Sequence, residues 1–412
     1  MPDDHAPPPP PSEGADLSFT PTRAAGLARL EAFAPRAGRD YASLRNHDLP
    51  GHPHVSSLSP WTRHRAVTEA EICEAVLGRH SASAAEKYVS EVFWRTYFKG
   101  WMERRPATWD AYRRDLDRAR DRLATEGGLR RAWAEACEGR TGIDPFDDWA
   151  REVVRTGYMH NHARMWFASV WMHTLRLPWA LGADFFLRHL LDGDAASNTL
   201  SWRWVGGMHT KGRSYMARPG NIARYTGGRY EGSAFGDRLA KAADPFDDGP
   251  HAPLVPVPDD APVPKGPGTG LVVHEDDLHP DFLWGRGLEA DGAIVLIAPG
   301  GRSPLEVSRR VRDFTRGLAE DAAARLPEGT VVTDDPAAVG AWAREGGFRR
   351  LVAPHAPVGW VRAALDEAEA AAGLPMARPV RDWDLAAWPH ATAGFFKVKK
   401  AIPEVLEAVG VG

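Results

Sequence analysis

The stretch that decides the fold runs from Thr156 to Trp204 and reads TGYMHNHARMWFASVWMHTLRLPWALGADFFLRHLLDGDAASNTLSWRW. We interpret it as two helix-like segments and the turns that follow them. Five tryptophans occur there among amide and charged side chains, which are Asn161, Arg164, Asp192, Asp194 and Asn198. Ligand sites combine apolar and aromatic walls with a few placed polar groups. The stretch therefore predicts a buried aromatic cofactor site.

Length and composition indicate a globular protein of two or three domains. The chain has 412 residues, 43% of them hydrophobic, and no apolar run approaches the length of a membrane span. Its start, MPDDHAPPPPPSEGAD, is acidic and proline-rich where a signal peptide would be basic and then apolar. We therefore expect a soluble, cytoplasmic monomer.

Cysteine content and charge narrow the function classes. Cys73 and Cys137 are too few for a disulfide framework or a four-cysteine metal or iron–sulfur site, and we predict no metal centre. A formal net charge of −4 is not typical of a nucleic-acid-binding domain, although the segment from Arg203 to Arg229 is basic and has no acidic residue. The 16 tryptophans could fill a helical core, or serve stacking or electron transfer.

The first half of the chain predicts helices. Residues 1–16 form a low-complexity tail that we expect to be disordered, and helices follow at 22–33, from about Thr68, over 84–102 and over 110–137. The serine-rich loop before Thr68 could bind phosphate, although most such loops only cap helices. Glu91 lies among large aromatic side chains, where a carboxylate is costly to bury unless it has a use. The alternative is a surface ion pair with Arg95 at helical spacing.

The second half predicts an α/β domain. A linker rich in Pro, Asp and Gly covers 236–268. The short apolar runs GLVVH, AIVLIA, TVVT and RLVAP then alternate with helical stretches, which predicts a parallel sheet covered on both faces. The turn APGGRS could bind phosphate, but it lacks the dinucleotide fingerprint, which favours a plain connection.

Five segments resemble the DNA photolyase and cryptochrome family, in the family's order and at compatible spacing over about residues 17–235. TGYMHNHARM resembles TG(W/Y)MHNRxRM, LLDGDAASN resembles LIDGDxAxN, and SEVFWRTYF resembles NELxWREFY. VSSLSPW resembles TSxLSPY, and CEGRTGIDPFDD resembles xEGxTGxPxVDA. The resemblance implies an all-helical domain that holds a bent FAD in a central cavity.

The resemblance also implies roles for individual residues. Those implied to bind FAD are Tyr41, Ser56, Ser57, Leu58, Ser59, Tyr88, Arg95, Asn161, Arg164, Asp192, Asp194 and Asn198, the last facing flavin N5. Those implied to grip a flipped-out cyclobutane pyrimidine dimer are Glu91, Trp94, Asn161, Met165 and Trp204. Trp202 and Trp179 match the inner two members of the tryptophan relay that photoreduces the flavin.

Several positions depart from the family pattern. Ala136 stands where the outermost relay tryptophan is expected, and Trp133, one helical turn earlier, is the candidate replacement. His162 replaces an arginine beside the dimer pocket, and Val55 replaces the first threonine of the phosphate loop. The family's sequence is lost beyond Trp204, so contacts to the DNA backbone must be rebuilt. The basic residues that we expect to bind DNA are Arg164, Lys211, Arg213 and Arg218.

The order of the domains also differs. GLVVHEDDLHPDFL resembles the opening of the family's α/β antenna domain and HATAGFFKVKKAIPEVL resembles its close, yet both follow the helical domain. We therefore predict a circularly permuted protein with a tail at 1–16, a helical FAD-binding domain at 17–235, a linker at 236–268 and a Rossmann-like α/β antenna domain at 269–412. The alternative is an unrelated α/β domain, and the sequence does not identify a second chromophore.

Two functions follow from the resemblance. The leading hypothesis is light-driven repair of cyclobutane pyrimidine dimers in single- or double-stranded UV-damaged DNA, by electron transfer from reduced FAD. The alternative is a cryptochrome-like blue-light photosensor that signals through the flavin redox state, which the incomplete relay, His162 and the net acidity favour. A third possibility, a relative that has lost FAD, is disfavoured by the retention of Arg95, Asp192 and Asp194.

Overall fold

The computed structural model describes residues 17–243, 246 and 249–412, so the tail predicted at 1–16 lies outside the described residues. Up to residue 238 the described chain forms helices without a strand. They are α1 (Arg23–Phe33), α2 (Arg39–Leu44), α3 (Ser59–Arg63), α4 (Glu69–Leu77), α5 (Ala82–Glu103), α6 (Ala107–Thr125), α7 (Gly127–Cys137), α8 (Asp144–Thr156), α9 (Asn161–Ser169), α10 (Trp179–His189), α11 (Ala195–Val205), α12 (Pro219–Tyr225) and α13 (Phe235–Arg238). No helix in the described part of the chain is long and apolar enough to cross a bilayer.

The stretch 156–204 folds into three helices, not two. α9 runs on through a wide π-type turn, Val170–Thr174, and the chain leaves the helix before Pro178, which cannot continue one. The residues expected to be turns after α10 form α11, because Asp194 caps it: its Oδ1 accepts the Ser197 N–H at 2.7 Å. Trp202 and Trp204 are therefore fixed on a helix. The helix expected over 110–137 is likewise two, α6 and α7, since two glycines follow Glu126.

Five strands form one parallel sheet in the order β3-β2-β1-β4-β5. The strands are β1 (Thr269–His274), β2 (Gly292–Leu296), β3 (Val331–Thr333), β4 (Arg350–Val352) and β5 (Met376–Ala377). The helices among them are α14 (Asp281–Gly285), α15 (Arg309–Ala323), α16 (Pro336–Glu345) and α17 (Trp360–Ala372). The predicted helical domain followed by a parallel-sheet domain is confirmed. β5 was not predicted, because a strand of two residues is too short to form a recognisable apolar run.

The last two helices, α18 (Asp382–Ala387) and α19 (Phe396–Ala408), pack against α5 of the helical domain. The Trp383 Nε1–H donates to Thr96 Oγ1 at 2.9 Å. The Trp388 ring lies so close to Gly100 that a Cβ added there would come within 2.6 Å of it. The end of the chain thus covers α5, although the sequence groups it with the α/β domain.

The two domains meet where β1 ends. Arg63, at the end of α3, donates to Glu275 Oε1 at 3.2 Å and to the Asp276 carboxylate. The Leu278 N–H donates to the carbonyl oxygen of His64 at 2.9 Å. All of these side chains are buried, so the carboxyl end of β1 is filled by the loop that follows α3.

Candidate functional site

A cavity of about 580 Å³ opens between the loop 55–59, helices α5, α9 and α11, and the loop 190–194, which we call the cradle loop. Most of the residues predicted for the site line this single cavity. They are Tyr41, Ser56, Ser57, Leu58, Ser59, Tyr88, Glu91, Trp94, Arg95, Asn161, Arg164, Met165, Asp192, Asp194, Asn198, Trp202 and Trp204. Trp179, Lys211, Arg213 and Arg218 lie outside the lining.

Ion pairs fix the cradle loop against α5 and α9. Arg164 binds Asp192 through both ends of its guanidinium, with Nη1 to Oδ1 at 3.0 Å and Nη2 to Oδ2 at 2.9 Å. Arg95 Nη1 donates to Asp194 Oδ2 at 2.6 Å. Burial opposes ionisation of Asp192, but Arg164 and Arg95 outweigh it and lower the pKa of that carboxyl. The loop therefore presents Asp192 as an ionised carboxylate, and each of its two acids is paired with an arginine of the cavity wall.

Asn198 lies on α11, one turn after the Asp194 cap. Its Nδ2 donates to the carbonyl oxygen of Ala183 at 2.8 Å, which fixes the orientation of the amide. The amide oxygen is then the atom left to accept a hydrogen bond from a group in the cavity.

The loop 55–59 contributes hydroxyls from three serines, and Ser57 adopts a left-handed backbone conformation with a φ of 51°. This region is uncommon for residues other than glycine and recurs at functional loops. Tyr41 and Tyr88 form the adjoining wall, where their rings meet edge to face at 4.9 Å.

Glu91 pairs with Arg45, which lies just after α2. The alternative prediction, a surface ion pair between Glu91 and Arg95, is wrong, because the Arg95 guanidinium binds Asp194 instead. Burial raises the pKa of the Glu91 carboxyl, and Arg45 offsets only part of the rise. Arg45 lines the cavity but carries no signal in the sequence, since its partner is 46 residues away along the chain.

His162 also lines the cavity, where the family has an arginine. Its ring stacks on Trp166 with centroids 4.2 Å apart, and its Nδ1 lies 3.1 Å from the carbonyl oxygen of Asn46. Burial lowers the pKa of His162 from its ordinary value. The side chain is therefore a neutral stacking group and does not replace the arginine's charge.

Of the two predicted relay tryptophans, one lines the cavity and the other does not. Trp202 lines the cavity, and its ring lies 5.2 Å from that of Phe186. Trp179 is buried outside the lining, and the ring it contacts is Tyr112 of α6 at 5.6 Å. In the described part of the chain no ring contact joins Trp179 to Trp133. Tyr112, which sequence reasoning missed, is the aromatic side chain next to Trp179.

The helical domain is similar in sequence to known proteins. Residues 88–226 match the family described as the FAD binding domain of DNA photolyase. The deoxyribodipyrimidine photo-lyase of Vibrio cholerae is 31% identical over 201 residues, which cover 46% of this chain and 40% of that protein. A photo-lyase of Thermus thermophilus is 35% identical over 48% of this chain and 45% of its own. The cryptochrome DASH of Natronomonas pharaonis is 31% identical over 50% of this chain and 44% of its own.

A solved cryptochrome of Synechocystis aligns with 51% of this chain and 44% of its own length, at 25% identity and a TM-score of 0.40. The chain thus spans less than half the length of the curated relatives named above. The matched segment begins in α5 and ends just after α12, so it includes α9, α11 and the cradle loop. Over residues 88–226 the helical domain of this chain is similar to the FAD binding domain of DNA photolyase, and its relatives include photo-lyases and a cryptochrome.

Proposed function

We propose that this protein repairs cyclobutane pyrimidine dimers in UV-damaged DNA with blue light, using an electron from reduced FAD. One observation carries the proposal: the residues expected to hold a dimer and those expected to hold a flavin line one continuous cavity. Glu91, Trp94 and Met165 lie in the same space as Asn198 and the cradle loop. Holding donor and acceptor together is what a reaction between two bound groups requires.

The residues present fit FAD. The cavity of about 580 Å³ lies within the range of roughly 300–1,000 Å³ that ligand sites occupy. Serine hydroxyls of the loop 55–59 suit the phosphates, and the acids Asp192 and Asp194 suit the hydroxyl and N–H groups of the ribityl chain and ring. The free amide oxygen of Asn198 suits the N5–H of a reduced flavin, since it can accept that hydrogen bond without titrating.

The remaining residues of the cavity would hold the dimer. Glu91 lines the space offered to the dimer, and its carboxyl group can hydrogen-bond to the polar edge of a pyrimidine, accepting from an N–H when ionised or donating to a carbonyl oxygen when protonated. Trp94 and Trp204 offer ring faces on which flipped-out bases stack, and Asn161 offers an amide to their polar edges. When bound and reduced, FAD supplies the electron that opens the dimer and receives it back afterwards.

DNA is the partner that this reaction requires. Lys211, Arg213 and Arg218 are exposed in the segment after α11, and we assign them to phosphates of the DNA backbone. Arg164, which the sequence offers for both flavin and DNA, has both ends engaged by Asp192, so we place it on the flavin side. Phosphate contacts make binding weaken as salt rises.

Glu91→Ala tests the proposal. Loss of one hydrogen bond contributes about 0.5–1.5 kcal/mol, so we expect binding of a dimer-containing oligonucleotide to weaken about 2- to 10-fold, with less repair per absorbed photon. Glu138→Ala, an exposed carboxylate outside the cavity, is the matched control and should behave as wild type. Equal repair by the two variants would remove Glu91 from the dimer site. If light changes the flavin redox state but neither wild type nor either variant repairs dimers, the proposed repair function is wrong and the photosensor function is supported instead.

A further inference from the structure

The segment before and into α19 forms an exposed patch of aromatic and basic side chains, Phe395, Phe396, Lys397 and Lys400, which we call the C-terminal patch. Phe396 is 65% exposed, more than any other large apolar side chain of the described residues. The Lys400 Nζ lies 4.7 Å from the centre of its ring. From His390 to Lys400 the chain has three lysines and no acidic residue. Nothing in the proposed chemistry so far uses these groups.

The patch adjoins the cavity. The Phe395 ring stacks on Trp94 with centroids 4.0 Å apart and planes 14° apart, and Trp94 lines the cavity. Phe395 is thus one ring removed from the place proposed for the dimer. Phe396, the next residue, projects into solvent beside it.

Hydrogen bonds hold the segment in this place. The Tyr97 hydroxyl donates to the carbonyl oxygen of Ala393 at 2.9 Å, and, having one proton, accepts from His209 Nε2 at 2.8 Å. Arg105 Nη2 donates to the carbonyl oxygen of Thr392 at 2.8 Å. Because His209 lies two residues before Lys211, Tyr97 ties the C-terminal patch to the basic segment already assigned to DNA.

The chemistry of the patch fits a nucleic-acid strand better than a protein surface. Aromatic side chains beside basic ones are how single strands are bound, since every base has a face that stacks and every nucleotide has a phosphate. Protein interfaces, in contrast, are depleted of lysine. Lys399 is paired with Glu86, with Nζ to Oε1 at 2.7 Å, whereas Lys397 and Lys400 are exposed. The Lys397 Nζ donates to Thr392 Oγ1 at 3.0 Å and keeps two further N–H groups for a phosphate.

We propose that the C-terminal patch binds the DNA strand next to the dimer. The exposed Phe396 ring stacks on a base that flanks the dimer, and Lys397 and Lys400 contact the phosphates there. Phe395 supports Trp94 from within the protein. The inference rests on the proposed repair function and adds the C-terminal patch to the DNA-binding surface.

Binding of a labelled single-stranded oligonucleotide that carries one dimer tests this inference, measured by fluorescence anisotropy with the full-length, FAD-loaded protein. Stacking of one base contributes about 1–3 kcal/mol, so Phe396→Ala should weaken binding about 5- to 150-fold at every salt concentration. Lys400→Ala should reduce the slope of log affinity against log salt by about one. Phe396 is exposed, so the melting temperature and flavin content should not change.

Val331→Ala and Lys265→Ala are the matched controls, since both remove exposed side chains remote in sequence from the cavity residues, and they should bind as wild type. If Phe396→Ala and Lys400→Ala also bind as wild type while wild type binds and repairs the dimer, this inference fails alone. If Phe396→Ala instead abolishes self-association in light scattering without changing DNA affinity, the patch contacts a second copy and the inference is wrong. If wild type binds no dimer-containing DNA, the proposed function fails, and the inference with it.

Discussion

His160 immediately precedes α9, whose Asn161 lines the cavity, and its side chain is fully buried. Its Nδ1 accepts the N–H of His162 at 3.2 Å, so the ring proton lies on Nε2, which has no hydrogen-bond partner among the described residues. Burial lowers the pKa of His160 to about 3, although the nearby Asp48 carboxylate favours the charged ring. The ring is therefore neutral at physiological pH.

This histidine predicts a loss of stability in mild acid. A pKa near 3 in the folded state and near 6.5 in the unfolded state means that only the unfolded chain gains the proton between those values. Stability is then present above about pH 6.5 and falls as the pH is lowered; from pH 7 to 5 the loss is about 2 kcal/mol from this group. His160→Asn keeps an N-cap acceptor but removes the titrating ring. Its free energy of unfolding, measured in urea, should therefore fall about 2 kcal/mol less between pH 7 and pH 5 than that of wild type. An unchanged slope would mean that the ring is charged in the folded protein.

Individual contacts were harder to predict than the residues that make them. The cavity gathers the residues that the motifs single out, yet the pair expected from helical spacing, Glu91 with Arg95, does not form. Asp194, 99 residues from Arg95, and Arg45, 46 residues from Glu91, compete successfully for these side chains. Helical spacing records only neighbours on one helix, whereas a partner brought by folding leaves no local pattern.

At the level of elements, apolar periodicity predicted the long helices and four of the five strands. The helix predicted from about Thr68 is also confirmed, as α4 begins at Glu69. The Thr68 side chain accepts the Glu71 N–H, and the Glu71 carboxylate accepts the Thr68 N–H, which caps the helix. The loop between α3 and α4 was not predicted to do more than connect them. Yet Arg65, in that loop, is buried and contacts three carboxylates, Glu69 at 3.2 Å, Asp277 at 3.4 Å and Asp384 at 2.7 Å. These come from α4, from the loop after β1 and from α18.

Arg65→Met should destabilise the protein strongly, because it leaves the buried carboxylates of Glu69 and Asp384 without their paired cation, whereas Asp277 keeps Arg381. Breaking such a buried pair costs about 3–5 kcal/mol. The matched control is Arg118→Met, whose side chain is 70% exposed and pairs with Asp115 on the surface of α6. Its free energy of unfolding should stay within about 0.5 kcal/mol of wild type. Equal urea midpoints for the two variants would show that the interdomain charges do not stabilise the fold.

At the scale of the whole molecule, the α/β domain supports the cavity through the interface between the end of α3 and the end of β1. Ligands of open parallel sheets bind at the carboxyl ends of the strands, where the strand order reverses. Here that end of β1 is occupied by Arg63 and His64, and Arg63 Nε also donates to the carbonyl oxygen of Gly193 in the cradle loop at 3.0 Å. The α/β domain is thus linked directly to the cradle loop. The prediction that it is a permuted antenna domain stays a prediction.

Domain packing was the part that the sequence did not reveal. Strand and helix patterns are local, so they predicted the helical domain and the sheet separately. They did not predict that α18 and α19 pack on α5. Trp383 and Trp388 provide that contact, and nothing in their neighbourhood along the chain indicates which helix they meet.

Blue-light repair by wild-type protein tests the central claim most directly. FAD-loaded, chemically reduced protein is mixed with an oligonucleotide that carries one cyclobutane pyrimidine dimer, and the remaining dimer is measured after illumination and in the dark. We predict that the dimer disappears under blue light and persists in the dark, because its proposed site shares a cavity with the flavin site. Retention of the dimer under light, by protein shown to hold reduced FAD and to bind the oligonucleotide, would contradict the account.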